Sequence, residues 1–254
     1  MRSSLPQAAA PLTARRITLG HTFAALRYPN YRLWFAGQLV SLLGTWMQTT
    51  AQGYLVYQLT NSAAYLGYVA FAAGLPSWLF MLYAGVIADR ISRRTLLVIT
   101  QTCMMILAFT LSLLAFLGVI QPWHILILAT LLGVANAFDA PARQSFTLEM
   151  VSREDLPNAI ALNGSMFNAA TAAGQAVAGI IYALAGPGWC FAINGASFLA
   201  VIIALLLMNL SHVTPPVVTK SAMADLREGL RYVAHTDSVR TIIGTLGAYS
   251  LIGM

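Results

Sequence analysis

Six long apolar stretches, separated by short polar links, dominate the pattern of this chain. They run over residues 33–58, 64–88, 95–120, 123–140, 159–185 and 189–210. A helix needs about 20 mostly apolar residues to cross the hydrocarbon core of a bilayer, and these stretches have roughly that length. The pattern predicts an all-α integral membrane protein with a six-helix transmembrane bundle over residues 33–210, following an N-terminal segment over residues 1–32.

A longer polar link over residues 211–238 follows the sixth stretch. Apolar residues recur in it at helical spacing, with charged residues between them, which predicts an amphipathic helix lying on the membrane surface. The apolar positions are Met223, Leu226, Leu230 and Val233. Residues 239–254 are apolar again and predict the start of a seventh transmembrane helix that is cut short at Met254.

The basic residues divide sharply between the two sides of the predicted bundle. All fourteen lysines and arginines precede the first stretch, lie between the second and third or the fourth and fifth, or follow the sixth. The links after the first, third and fifth stretches carry none. Because positively charged loops stay in the cytoplasm, the N-terminus is predicted to be cytoplasmic. This distribution also explains the net charge of +6 without a nucleic-acid partner.

Composition and motifs argue against an enzyme, and we expect no cofactor and no bound metal. Only 9% of the residues are charged, compared with about 25% in a typical soluble domain. Cys103 and Cys190 both lie in apolar stretches, and no C-x-x-C, H-E-x-x-H or nucleotide-binding loop occurs. Ser197 invites comparison with intramembrane serine proteases, but the glycine that normally follows that serine is missing, and His124 lies at the membrane surface.

A stripe of polar side chains follows one face of the first stretch. Its members are Gln38, Ser41, Thr45, Gln48 and Gln52, spaced three or four residues apart, as on one side of a helix. This stripe favours the wall of a water-filled cavity or substrate path. The alternative is hydrogen bonding between packed helices.

A second stripe, on the fifth stretch, contains Asn168, Thr171 and Gln175. There, Gly174 and Ala178 also form a small-x-x-x-small pair, so helix packing and cavity lining are both open.

A single acid, Asp139, lies at membrane depth near the end of the fourth stretch. Asn136, three residues earlier, is a further candidate for the cavity lining. An acid in that position requires a partner. Arg143 is one candidate, although Pro141 is expected to bend the chain between them. The other candidates are the arginines of the link between the second and third stretches. A structural ion pair and a switchable role both remain open.

That link has the pattern Gly85-x-x-x-Asp89-Arg90-x-x-Arg93-Arg94 and resembles the signature loop of the major facilitator superfamily. Three further regions resemble its enterobactin-exporter-like and macrolide-efflux-like branch, the transmembrane secretion effector type. They are residues 31–38 (YRLWFAGQ) continued by 44–48 (GTWMQ), residues 137–143 (AFDAPAR) and residues 154–161 (EDLPNAIA).

The resemblance implies a secondary transporter in the bacterial cytoplasmic (inner) membrane. Such a carrier exports small amphipathic molecules that are siderophore-, macrolide- or drug-like, by alternating access and with proton coupling. Its partners are the lipid bilayer, its substrate and protons. The loop of Gly85, Asp89, Arg90, Arg93 and Arg94 would act as a cytoplasmic gate, with Asp139 as the acid to which its arginines bridge.

Two departures from the family pattern qualify these expectations. The fifth span usually carries Ala-Arg-x-x-Gly-Pro, whereas Thr171 and Gln175 replace the arginine and the proline here, which weakens the case for proton antiport. The family also has twelve spans in two halves. We therefore expect a partial chain that needs a C-terminal six-helix half. The alternative function is the six-span membrane subunit of an ATP-driven exporter with a separate nucleotide-binding partner.

Overall fold

The computed structural model describes residues 23–209 together with residues 239, 241 and 245, without the side chains of residues 82, 86, 88 and 89. A short 3-10 helix, Ala24–Arg27, is followed by six α-helices. They are α1 (Pro29–Thr60), α2 (Ala63–Arg90), α3 (Arg93–Phe116), α4 (Pro122–Met150), α5 (Leu156–Ala185) and α6 (Pro187–Leu207). The predicted all-α fold is confirmed. The predicted amphipathic helix over 211–238 lies outside the described residues, as does most of the predicted seventh helix.

Five of the described helices, α2 to α6, are long and apolar enough to cross a membrane. The exception is α1, which spans 32 residues but carries the stripe of glutamines and hydroxyl side chains. Those polar groups lower its hydropathy without shortening it. A helix of this kind is stable in a membrane when its polar face is turned away from lipid.

The fourth helix is longer than the sequence predicts. The predicted end at residue 140 is wrong, because α4 continues through Pro141 to Met150. A proline inside a helix removes one backbone hydrogen bond. The turns beyond it are held by packing, since Ala142, Phe146 and Met150 are all buried.

Successive helices run in opposite directions, so alternate connections meet at the same end of the bundle. Links 91–92 and 151–155 lie at one end, together with the N-terminal 3-10 helix and the end of α6. Hydrogen bonds join these parts: Tyr28 donates to Asp155 across 2.9 Å, and the amide of Asn30 donates to the backbone carbonyl of Asn209 across 3.0 Å. All arginines among the described residues up to 209 belong to this end, which we call the arginine end.

Helix α6 lies between α1 and α3, while α2 packs on α4 and α5 packs on α1. Small residues set the closest crossings. A Cβ at Gly174 would lie 2.7 Å from the backbone oxygen of Leu43, and one at Gly133 would collide with the carbonyl of Ala73. Close approach at small residues is the usual basis of helix association in lipid. Gly174 therefore serves packing, one of the two roles left open for its helix.

Two main apolar clusters fill the bundle, one towards each end. At the arginine end Trp34 and Phe146 meet edge to face with ring centroids 5.3 Å apart, beside Leu97 and Val201. The other cluster includes Ile125 and Phe191. Between them the helices α1 and α4 stay apart, and this gap holds the cavity described below.

Candidate functional site: a polar cavity in the helix bundle

A cavity of about 390 Å³ lies between α1, α2, α3, α4 and α6, and Phe167 of α5 completes its wall. Its volume falls in the range of about 300–1,000 Å³ that is common for small-molecule sites. Apolar side chains form much of its wall, among them Leu42, Trp46, Val69 and Phe198. Polar groups are concentrated on α1 and on the facing part of α4.

All five polar residues of the α1 stripe lie on the cavity wall. They are Gln38, Ser41, Thr45, Gln48 and Gln52. Gln48 also accepts a hydrogen bond of 2.7 Å from the amide of Asn194 on α6. The stripe therefore combines the two roles considered for it: its residues line the cavity, and Gln48 also forms a hydrogen bond between two helices.

Asn136, Asp139 and Arg143 line the cavity from α4. In contrast, Asn168, Thr171 and Gln175 of α5 are not on its wall. The α5 positions that face α1 are Ala170, Gly174 and Ala178, all buried. Asn168 and Gln175 are exposed, because neighbouring positions on a helix point to different faces. Within the described bundle these three residues do not line this cavity, and their role as lining of a substrate path stays a prediction.

Asp139 is the most completely enclosed charged group among the described residues, with its side chain 2% exposed. Its Oδ1 accepts hydrogen bonds from the hydroxyl of Thr100 at 2.8 Å and from the amide of Gln101 at 2.9 Å. Its Oδ2 lies 3.6 Å from Nε of Arg143. A buried carboxylate is stable in a low-dielectric environment only when hydrogen bonds and an opposite charge compensate its lost hydration.

Within residues 23–209 the charge partner of Asp139 is Arg143, one of the candidates named from the sequence, whereas Arg93 and Arg94 of the loop have other partners. Helix α4 continues through Pro141, so Arg143 is one turn further along the same helix and within reach. Sequence reasoning missed Thr100 and Gln101, although they form a run of three consecutive polar residues with Thr102 in a mostly apolar helix. Their common signal is only that a polar group in a membrane helix needs a partner.

The loop arginines instead pair at the surface of the arginine end. Arg93 lies 2.6 Å from Glu149 at the end of α4, and Arg94 donates to the backbone carbonyl of Leu206 at 3.0 Å. Glu149 was missed because the predicted fourth helix ended nine residues earlier. Arg93 thus bridges to an acid of α4, but that acid is Glu149 and not Asp139, the candidate named from the sequence.

The other named residues of the loop are Gly85, Asp89 and Arg90. No atom of another element lies within 4 Å of the position that a Cβ would take at Gly85, so this glycine makes no close helix contact within the described residues. Arg90 is the last residue of α2. The side chain of Asp89 lies outside the described part of the chain, and its gating role stays a prediction.

Ser197 takes part in helix packing. Its hydroxyl donates to the backbone carbonyl of Asn194 at 2.7 Å, beside Gly44 of α1. His124 lies at the start of α4, where its Nδ1 accepts from the backbone N–H of Gln121. Ser197 and His124 thus each serve local structure, and no described contact joins them as a nucleophile and base.

Residues 20–252 match the family of transmembrane secretion effectors, a branch of the major facilitator superfamily. The chain belongs to this family. The match covers most of the sequence and confirms the resemblance drawn from the loop and the three other segments. The family consists of transporters.

Individual relatives agree with this assignment. The chain is 27% identical to the staphyloferrin A transporter of Staphylococcus aureus over 60% of its own length and 39% of the relative. It is 27% identical to the multidrug efflux pump Tap of Mycolicibacterium fortuitum over 85% of its length and 54% of the relative. Macrolide efflux protein A of Streptococcus pyogenes is 25% identical over 62% of this chain and 40% of the relative. The chain spans about half the length, or less, of these relatives.

Proposed function

We propose that this chain contributes one half of a secondary active exporter for small amphipathic molecules, which are siderophore-, macrolide- or drug-like. The observation that carries the proposal is the cavity with mixed apolar and polar walls inside a bundle of the secretion effector family. The names of the relatives point to a siderophore, to several drugs and to macrolides as cargo.

The chemistry of the cavity fits amphipathic cargo. Trp46, Leu42 and Phe198 offer apolar contact surface, while the glutamines of α1 offer hydrogen bonds. Sites for small molecules commonly combine a mostly apolar wall with a few placed polar groups. A molecule with one apolar and one polar face gains from both, whereas a fully charged solute would meet only Asp139 and Arg143, which already neutralise each other.

The arginine end supplies the proposed cytoplasmic gate. Arg93 and Arg94 tie the start of α3 to the ends of α4 and α6. In our proposal these contacts hold the gate region of this half as one body, and Asp89 and Arg90 of the loop act against a second six-helix half. Alternating access then follows from rocking of the two halves around a central site.

We further propose that the N-terminus is cytoplasmic, that the protein resides in the bacterial inner membrane, and that protons supply the driving force. The location of all fourteen basic residues supports the orientation. Asp139 is the acid on the cavity wall that could take part in proton coupling. No observation on the described residues favours an ATP-driven exporter.

An efflux assay on the full-length protein tests this function. Inverted vesicles or loaded cells of an efflux-deficient host are given a fluorescent amphipathic dye, and its extrusion is followed before and after a protonophore. Extrusion that stops while ATP is held constant supports proton-coupled export. Extrusion that persists without the gradient but stops on ATP depletion contradicts it.

The gate is tested in the same assay with Asp89→Asn. We expect a strong loss of extrusion at normal expression, because the loop no longer carries its acid. Glu154→Gln is the matched control, since Glu154 is an exposed acid at the same end of the bundle. Unchanged transport by Asp89→Asn would remove the gate from the proposal and leave the carrier function standing.

A further inference from the structure

Two side chains on the cavity wall have buried polar atoms without a partner. Gln38 and Gln101 are 2% and 3% exposed, and both line the cavity. The amide nitrogen of Gln38 and the amide oxygen of Gln101 have no hydrogen-bond partner within the described part of the chain. Buried polar groups are almost always hydrogen-bonded, so two without a partner in the lining of one cavity require an explanation.

The two atoms have complementary roles. The nitrogen of Gln38 is a donor and the oxygen of Gln101 is an acceptor. The orientation of Gln101 is fixed, because its own nitrogen donates to Oδ1 of Asp139 at 2.9 Å. Turning this amide over would place its oxygen against the carboxylate. The two lining residues therefore hold one unused donor and one unused acceptor, both buried in this structure, and Asp139 keeps the acceptor of Gln101 turned away from itself.

The charges beside this pair cancel. Asp139 is matched by Arg143 with 3.6 Å between Oδ2 and Nε, so the region carries no net charge to attract an ion. The oxygens of Asp139 are also engaged by Thr100 and Gln101. A neutral group that contains both a hydrogen-bond acceptor and a donor is the chemistry that these surroundings leave unsatisfied.

We infer that Gln38 and Gln101 form a polar subsite at the arginine end of the cavity, which takes a neutral carboxamide-like group of the cargo. The carbonyl of that group accepts from Gln38, and its N–H donates to Gln101. Gln38 lies nine residues after the start of α1, which places the subsite towards the arginine end. The apolar remainder of the cargo then lies along Trp46 and Leu42. The inference rests on the proposed function, because it assigns the cavity to cargo.

Equilibrium binding tests the subsite with two matched probes, 2-naphthamide and N,N-dimethyl-2-naphthamide. Both carry the carbonyl, and only the first carries the N–H donors. The full-length protein in nanodiscs is dialysed against each probe, with empty nanodiscs subtracted. We expect 2-naphthamide to bind ~10-fold more tightly, since an additional hydrogen bond to a buried acceptor contributes on that order.

Two substitutions test which side-chain atoms cause the preference for 2-naphthamide over its dimethyl analogue. Gln101→Met removes the acceptor, and the preference should fall to about twofold or less, because the donor of 2-naphthamide then has no partner. Gln38→Met removes the donor that serves both carbonyls, and both probes should weaken together. Gln144→Met is the matched control, because it removes the same amide from an exposed position of α4 that does not line the cavity, and it should leave the ratio unchanged.

Equal binding of the two probes by the unaltered protein would overturn the subsite and leave water as the partner of these two glutamines. A preference that survives Gln101→Met would also overturn it, because the bulk of the methyl groups would then be the cause. Binding and efflux are separate readouts, so a failed preference with intact efflux refutes only the subsite. A clear preference without any efflux refutes only the proposed export.

Discussion

At the scale of single residues, the two acids of α4 are held in very different ways. Asp139 is enclosed and receives two hydrogen bonds and one ionic contact from residues of α3 and α4. Glu149 is partly exposed and meets only Arg93 among the described ion pairs. Burial decides the energetic consequence, because a partner lost in the interior leaves an unsatisfied group, whereas a partner lost at the surface is replaced by water.

Asp139→Leu should therefore destabilise the protein strongly. The hydroxyl of Thr100 retains its contact with the carbonyl of Leu97, but the amide of Gln101 and the charge of Arg143 lose their partner. We expect a loss of about 2 kcal/mol or more, measured as a lower unfolding midpoint of the purified protein in detergent. Asp139→Asn keeps an acceptor and should lose less. Equal stability of Asp139→Leu and the unaltered protein would contradict the burial of this acid.

The pair of Arg93 and Glu149 should contribute little to stability. Both side chains are about a quarter exposed, and solvent screens such pairs. A double-mutant cycle with Arg93→Gln and Glu149→Gln should therefore give a coupling free energy of about 0.2–1 kcal/mol.

The pair of Arg93 and Glu149 is expected to matter more for transport, because a small change in the free-energy difference between two conformations of the carrier alters their populations. Exchange of the charges, Arg93→Glu with Glu149→Arg, should restore part of the extrusion lost in either single variant. No recovery would argue against a contact between these residues.

At the scale of helices, small residues decide which elements can touch. Helix α5 crosses α1 at Gly174, where a Cβ would lie 2.7 Å from the Leu43 carbonyl and 2.9 Å from Cβ of Trp46. Backbone atoms cannot move away as a flexible side chain can. The same helix carries Gly179, where a Cβ would have no atom of another described element within 4 Å. One helix thus provides both a critical glycine and its control.

Gly174→Ala should lower stability by about 1–3 kcal/mol, because the added methyl group forces α5 away from α1. Gly179→Ala should be neutral or slightly stabilising, since alanine favours a helix over glycine by up to about 1 kcal/mol. Thermal unfolding of both variants in detergent, together with their level in the membrane, checks the contrast. Similar behaviour of the two variants would contradict a close crossing of α5 and α1 at Gly174.

At the scale of the whole molecule, the connections alternate between two ends of one bundle. Links 61–62 and 117–121 lie at one end, and links 91–92 and 151–155 lie at the arginine end. Contacts such as that of Tyr28 with Asp155 join the latter group, while Tyr182 donates to Gln58 at the opposite end. The asymmetry of the basic residues therefore follows the geometry of the bundle.

Cysteine labelling tests the proposed orientation. In a background without Cys103 and Cys190, Ser62→Cys should react with a membrane-impermeant maleimide in intact cells. Glu154→Cys should react only after the membrane is permeabilised. Both positions lie next to helix ends and are accessible in the structure, Glu154 more so than Ser62. Labelling in the reverse order would invert the predicted topology.

Much of the fold could be predicted from the sequence. Long apolar stretches define the helices because an unsatisfied backbone is too costly in lipid for any other local structure. The error at the end of α4 arises near a proline: the apolar stretch predicts an end at residue 140, just before Pro141, whereas the helix continues to Met150 with Ala142 and Phe146 buried. Tertiary packing overrode the local preference.

The candidate site was only partly predictable. The α1 stripe indicated a polar face, and that face is on the cavity wall. The α5 stripe had similar spacing, yet Asn168 and Gln175 point elsewhere, since periodicity identifies a common face and not the neighbour that it meets. Thr100, Gln101 and Asn194 showed no helical periodicity. Their partners, Asp139 and Gln48, lie on other helices, so only the packed bundle reveals these contacts.

The sequence by itself determined the helices, their alternation and the side on which the basic residues collect, because these depend on transfer of each segment between water and lipid. The tertiary structure alone decided which charges pair, which stripe faces the cavity and which glycines set the crossings. Those outcomes depend on contacts between segments far apart in the chain. The pairing of Arg93 with Glu149 instead of Asp139 is the clearest case.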